Sequence, residues 1–324
     1  MKKKSIYYII VLIIAAAISF INNSNDIDNG NNIEDPAPIV EQENNSANNI
    51  DAIPDENGLN GGTEPNNDTI DLGQLKVHFI DVGQADSILI QSDEQTMLID
   101  AGNNADSEDV VAYIKSQNIY KLDYVVGTHP HEDHIGGLDA VIESFDIGVI
   151  YMPKAMSTTK TFEDVLNAIS KKGMKVTTPV PGTTAKFGEA SFTILAPNSD
   201  SYKETNNYSI VIKLDHGNNS FLFTGDAEDV SEKEMIEKGY DLSADVLKVG
   251  HHGSSTSTTK EFLEKVNPKY ALISAGKDNR YGHPHKETID LLNKKGIEIY
   301  RTDESGTIIA ISNGESLTFE ESLK

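Results

Sequence analysis

The hydrophobic pattern divides the chain into three regions. Ile6 to Ile21 is an apolar run of 16 residues, interrupted only by Ser19, behind the basic start "MKKKS". It is short for a membrane span and close to the apolar core of a secretory signal. Residues 22–70 then lose all periodicity: isolated apolar residues sit among Asn, Asp, Glu, Gly and Pro. From about Asp71 onward, short apolar runs and amphipathic stretches alternate with turn residues, which predicts an α/β body over 71–324.

Within the body, "LKVHFIDV", "DSILIQS", "TMLIDAG", "LDYVVGT" and "IGVIYMP" predict strands. "SEDVVAYIKSQ" has apolar residues at helical spacing, with Ser107 placed to cap it. "IGGLDAVIESF" and "TFEDVLNAISKKG" predict further helices, the second stopped by Gly173. Later come "ASFTILAP", and a hairpin in "YSIVIKLDHGNNSFLFTGDAE" that turns at Gly217-Asn218-Asn219 and ends at Asp226. "ADVLKVGHHGSS" predicts a strand ending at His251, followed by alternating helices and strands and two closing strands. Each half is a set of strands with helices attached. Two sheets packed face to face would bring their strand ends to one edge.

Composition narrows the possibilities. The net charge is −24, and eleven acids with no Lys or Arg fall between residues 22 and 70. That segment reads as a disordered, acidic, Asn-rich linker, and the body beyond it keeps an acidic excess. A basic footprint for nucleic acid is missing. The absence of cysteine excludes disulfides, thiolate metal ligands and a lipid-modified cysteine anchor. Three N-terminal lysines favour an outward-facing body, so residues 1–21 are expected to act as a signal peptide or a membrane anchor. The expected location is extracellular or on the outer face of the membrane. Ala15 to Ala17 suit a cleavage site and Phe20 and Ile21 do not, so both fates stay open.

Histidine placement carries the chemistry. Seven of nine histidines fall in three groups, each directly after a strand-like run: His129, His131 and His134; His251 and His252; His283 and His285. "THPHEDH" (128–134) crowds three imidazoles and two acids, a costly cluster unless a cation is bound. The two-residue offset lets His129 and His131 turn to one ion, and Asp133 and His134 to a second. Asp226 in "TGD" is placed to bridge them, and His251 to complete the second. Imidazole and carboxylate without thiolate suit two divalent ions, Zn²⁺ first and Mn²⁺ or Fe²⁺ as alternatives. Asp81 and Asp100 end strands, where they would either bond ligating histidines or cap turns. His78 and His216 read as ordinary structural or surface histidines. Lys248 and Lys277 read as surface residues, and His252 and Ser254 as pocket lining or a structural turn.

These motifs resemble the metallo-β-lactamase superfamily in "THPHEDH", "TGD" and "KVGHHGS". More narrowly, "FIDVGQADSILIQ", "MLIDAG", "NNYSIVIKL", "LFTGD", "LKVGHHGS" and "YGHPH" resemble the hydrolase domain of ComEC-type competence proteins and their stand-alone relatives, over about Lys76 to Tyr300. The resemblance implies a four-layer αββα sandwich with a dinuclear site at one edge of the sheets. It departs from well-known members where they place another metal-binding histidine, since "TNNYS" (205–209) stands there. That argues against a β-lactamase or a glyoxalase-like thioesterase. It also leaves room on the first ion for water or substrate, against a closed structural site.

The resemblance implies a phosphodiesterase or nuclease using a hydroxide held between the metals, with Asp133 or Asp226 orienting it. His283 would approach from the far half to bind a phosphoryl oxygen or donate a proton. The substrate would be a phosphodiester, either DNA or, given the acidity, a cell-wall polymer. A non-catalytic, metal-stabilised binding module is the alternative of a different class. No protein partner is implied.

Overall fold

Strand alternation sorts side chains onto two apolar faces. The computed structural model describes residues 72–93 and 95–322, so the expected export segment and linker, 1–21 and 22–70, lie outside the described residues. Along the chain come β1 (Leu75–Phe79), β2 (Ile88–Gln91), β3 (Thr96–Ile99), α1 (Ser107–Ser116), β4 (Lys121–Val126), α2 (Glu132–Ile135), α3 (Leu138–Ser144), β5 (Asp146–Tyr151), α4 (Lys160–Lys171) and β6 (Val176–Thr177). There follow β7 (Thr184–Phe187), β8 (Ala190–Ala196), β9 (Val211–His216), β10 (Asn219–Phe223), α5 (Asp229–Glu237), β11 (Val246–Lys248) and α6 (Lys260–Val266). The remainder is β12 (Tyr270–Ile273), α7 (Lys286–Lys294), β13 (Glu298–Arg301), α8 (Thr302–Ser305), β14 (Ile308–Ser312) and β15 (Leu317–Glu321).

The strands form two sheets, ordered β15-β14-β1-β2-β3-β4-β5-β6 and β13-β12-β11-β10-β9-β8-β7. The odd residues of β1 (Leu75, Val77, Phe79), with Ile88, Ile90, Met97 and Ile99, meet Phe192, Ile212, Leu214, Phe221 and Phe223 of the second sheet in one core. The alternate positions face outward. Leu89, Leu98 and Val125 pack under α1, α3 and α4 through Val110, Ile114, Leu138, Val141 and Val165. Leu222, Leu247, Ala271 and Ile273 pack under α5, α6 and α7 through Met235, Phe262, Leu263 and Leu292. Both faces of each sheet are therefore apolar, as sheets covered on both sides require. The result is the expected αββα sandwich.

Local signals explain several helix ends. Thr159 and Thr259 cap α4 and α6 by accepting the N–H of Phe162 and of Phe262. α1 differs from expectation: a single turn at Asn104–Asp106 precedes it, so Ser107 is its first residue and Asp106 its cap. The predicted helix "IGGLDAVIESF" is split, α2 ending before Gly136 and α3 starting after Gly137. The hairpin's second strand stops at Phe223 and β11 stops at Lys248, both short of the expected Asp226 and His251. The strands β6 and β7 have no counterpart in the sequence reading, and the closing strands return to the first sheet, where β14 pairs antiparallel with β1.

Within the sheets, β3, β4 and β5 run parallel, as do β10, β11 and β12. Their C-terminal ends feed loops that meet at a shared edge, where Asp226 follows β10 and faces His129 and His134 after β4.

Candidate metal centre

The loop after β4 is pinned by Asp100, which follows β3. Asp100 is fully buried and accepts from Thr128 through both its backbone N–H (2.8 Å) and its hydroxyl (2.7 Å). His134 Nδ1 lies 2.8 Å from the same carboxylate, so Asp100 holds that N–H and turns Nε2 toward the cleft. α2 can press this close only because of the glycine pair. A Cβ at Gly136 would lie 2.2 Å from the backbone of Asn103 and Asn104, and one at Gly137 would lie 2.4 Å from Ala101 O.

The imidazoles and acids converge. His129 Nε2 is 2.9 Å from His131 Nδ1 and 3.9 Å from Asp226 Oδ2. His134 Nε2 is 3.2 Å from Asp226 Oδ2 and 4.0 Å from Asp133 Oδ2. Among the described residues, four overlapping groups have donor atoms within 4.8 Å of one another; two of them, His129–His134–Asp226 and Asp133–His134–His252, face the cleft, and His131 stands beside the first without belonging to it.

The second group contains His252 where the sequence reading expected His251. His252 is buried, and its Nε2 lies 3.5 Å from Asp133 Oδ2 and 3.7 Å from Asp226 Oδ1. His251 instead directs Nε2 to the other oxygen of Asp226, at 3.7 Å, and sets Nδ1 3.4 Å from Glu228. The cause is backbone conformation. Both residues adopt left-handed φ values, 50° and 53°, and so fan their rings to different sides. Such strain in non-glycine residues costs on the order of 1 kcal/mol each and gathers at functional sites.

These residues fit divalent cations. Ligand atoms about 2.1 Å from one tetrahedral ion stand about 3.4 Å apart, and the separations above bracket that value. The buried atoms His134 Nε2, His252 Nε2 and Asp226 Oδ1 have no hydrogen-bond partner. Each orphan would cost about 1–3 kcal/mol, and a bound cation removes the penalty. Burial, reinforced by His134, holds the His129 imidazole well below its ordinary pKa, so its lone pair is free to ligate. Burial pushes the Asp226 carboxyl up, but the imidazoles of His134 and His252 outweigh it and keep it well below the usual range.

Comparison with known proteins agrees with this geometry. The sequence description of the Metallo-beta-lactamase superfamily matches residues 80–277. The chain belongs to the metallo-beta-lactamase superfamily. It is 33% identical to ComE operon protein 3 of Bacillus subtilis over 251 residues, covering 72% of this chain and 32% of that protein. It is 29% identical to Competence protein ComA of Neisseria gonorrhoeae, covering 70% of this chain and 31% of that protein. The chain thus spans about a third of the length of these curated relatives. Among solved structures, the metallo-beta-lactamase fold protein YhfI from Bacillus subtilis matches with a TM-score of 0.51 at 16% identity, over 74% of this chain and 100% of that one.

Around this superfamily centre lies a supporting shell that the sequence reading placed only in part. Asp100 takes the expected role beside His134. Asp81 accepts the N–H of Gly83 within its turn. Asp86 stands against the histidines instead, 3.5 Å from His252 Nδ1 and 4.0 Å from His134 Nδ1. Lys248, expected on the surface, is buried with its Nζ 2.8 Å from Asp86. The available signal was its place at the end of a β-rich run in a parallel sheet, where both faces are covered. The "TNNYS" segment also holds the site: Ser209 Oγ is 3.3 Å from His129 Nδ1 and accepts the N–H of Asp226 at 3.1 Å, and Asn206 Nδ2 lies 3.3 Å from His251. His78 and His216 are buried and structural, bonded to Tyr113 and Ser312.

The centre opens into a cleft of about 670 Å³ lined by Gln84, Asp133, Arg280, Tyr281 and His283. Asp133 keeps 31% of its side chain exposed there. His283 reaches the cleft from the loop after β12, its ring centre 5.4 Å from that of His251. Gln84 Nε2 lies 3.3 Å from His283 Nδ1, and Gln84 Oε1 accepts from Gly276. Burial, with the neighbouring His251 and His252, lowers the His283 pKa to about 4.

Proposed function

We propose that the protein is a metal-dependent phosphodiesterase of ComEC type, acting on nucleic acid from the outer side of the cell membrane. The observation that carries the hydrolytic part is the set of orphaned, converging donors on His134, His252 and Asp226 at the floor of an open cleft. Divalent ions held there would supply Lewis acidity and a hydroxide near neutral pH. His129, His131 and Asp226 would hold one ion, and Asp133, His134 and His252 the other, with Asp226 between them.

The chain's own groups then position the substrate. The Gln84 amide donates to His283 Nδ1, which leaves Nε2–H as a donor for a phosphoryl oxygen. Among the described residues, Arg280 is the one Lys or Arg lining this cleft, and it adds charge for a second oxygen. Asp133, exposed at the floor, is placed to orient the attacking water. Relatives named for competence support a nucleic-acid substrate, and the apolar N-terminal run supports export. The net charge of −24 favours a second reading, a phosphodiester within a cell-wall polymer.

The test is a substrate panel on metal-stripped protein reloaded with Zn²⁺ or Mn²⁺. Turnover of bis-p-nitrophenyl phosphate and of oligonucleotides, abolished by chelation, is expected. Hydrolysis of a β-lactam or thioester alone would refute the reading, and turnover of the wall polymer alone would select the second one.

A further inference from the structure

A second cleft lies on the same sheet edge, on the far side of the centre from Arg280. Strand register locates it. Ala196 at the end of β8 pairs with Val211, and Ile212 pairs with Phe223, so Pro197 stands level with the residues leading to Asp226. In the first sheet Tyr151 pairs with Val126, so Lys154 stands level with the start of the His129 loop. Two strand spacings separate β8 from β10, roughly 10 Å.

The cleft encloses about 270 Å³ and includes Lys154, Lys238, Tyr208, Tyr240, Asn198 and Asp200 in its lining. One residue along the chain relates it to the centre: Tyr208 lines the cleft, and the next residue, Ser209, touches His129 and Asp226. Its wall is rigid. Asn198 donates to Leu195 O at 2.7 Å and accepts from the Tyr240 hydroxyl at 3.2 Å, and the N–H groups of Asn198 and Ser199 both donate to the Tyr202 hydroxyl.

The cleft brings cations and aromatic rings together. Other lysines at the sheets are paired with acids, such as Lys213 with Asp241 and Lys269 with Asp245. Lys154 and Lys238 are both exposed, and among the described residues neither is held by a carboxylate. One acid, Asp200, shares the lining. Two unpaired ammonium groups beside aromatic rings match the two elements that bind single-stranded nucleic acid: cations for the backbone and ring faces for bases. A polyol phosphate would use the lysines and leave the rings idle.

We infer that this cleft is a subsite for single-stranded nucleic acid, holding the strand to one side of the phosphodiester that lies over the centre. The inference rests on the phosphodiesterase reading above. It makes the enzyme one that grips an internal stretch of strand, with Arg280 and Tyr281 on one flank and Lys154 and Lys238 on the other.

The experiment compares wild-type protein, the double variant Lys154→Gln/Lys238→Gln, and Asp200→Asn, all loaded with the same metal. Substrates are bis-p-nitrophenyl phosphate, a single-stranded oligonucleotide of about 20 nucleotides, and poly(glycerol phosphate). For the double variant, KM on the oligonucleotide is expected to rise about tenfold, and the slope of log(kcat/KM) against log salt to shrink by about 1.4. Its turnover of the small diester stays unchanged, and Asp200→Asn lowers KM on the oligonucleotide. An unchanged KM and salt slope overturns the inference alone. So does an equal loss on the small diester, or a loss confined to poly(glycerol phosphate). Failure of the wild-type protein on every phosphodiester removes the proposed function as well.

Discussion

The two sides of the metal centre are built differently. The first-sheet side, His129 to His134, is anchored from beneath: His129 and His134 are fully buried and Asp100 fixes both the loop backbone and an imidazole, while His131 and Asp133 open to the cleft. The second-sheet side, His251 to His283, grades outward from buried His252 through His251, 25% exposed at its side chain, to Tyr281 at 50%. The first side is a buried floor that opens only where His131 and Asp133 meet the cleft, and the second is a rim that opens toward Tyr281. The contrast suggests that the floor sets metal affinity and the rim sets substrate choice. His252 is the exception, a second-sheet residue that belongs to the floor.

That exception gives the largest expected effect. His252→Ala should lower kcat/KM on a small phosphodiester by about 10³-fold with loss of bound metal, whereas His251→Ala should cost about tenfold. Paired kinetics and metal analysis check this, and a reversed order would break the comparison. Next is the ion pair behind the floor. Lys248→Met leaves Asp86 buried without its ammonium partner, which should destabilise the fold by about 3–5 kcal/mol in denaturant unfolding. A loss below 1 kcal/mol would show that Asp86 finds another partner. Asp100→Asn should weaken metal affinity by about 10–100-fold, read by competition with a chelator. The smallest effect belongs to the rim: Tyr281→Leu should raise KM severalfold with kcat and metal content intact.

What the sequence shows follows the same division. "THPHEDH" is legible because no ordinary loop gathers that much imidazole and carboxylate, and the glycines after it mark the close approach of α2. The β-rich runs of β1, β2 and β10 are likewise plain, because strands covered on both faces carry apolar residues at most positions. His252 was not separable from His251, since the distinction lies in two left-handed backbone conformations that residue type does not announce. Asp86 and Lys248 were missed because each reads alone as a surface charge; only the fold brings them together, 162 positions apart in the numbering. The strands β6 and β7, "VT" and "TAKF", are short and partly exposed sheet-end strands with no apolar periodicity to read.

The central claim is that the floor, with His252 and without His251, holds a pair of divalent ions. Anomalous diffraction from Zn²⁺- or Mn²⁺-loaded crystals tests it most directly. Two peaks are predicted, one contacting His129, His131 and Asp226, the other contacting Asp133, His134 and His252. A single peak bound by His251 in place of His252, or no peak among these residues, would contradict it.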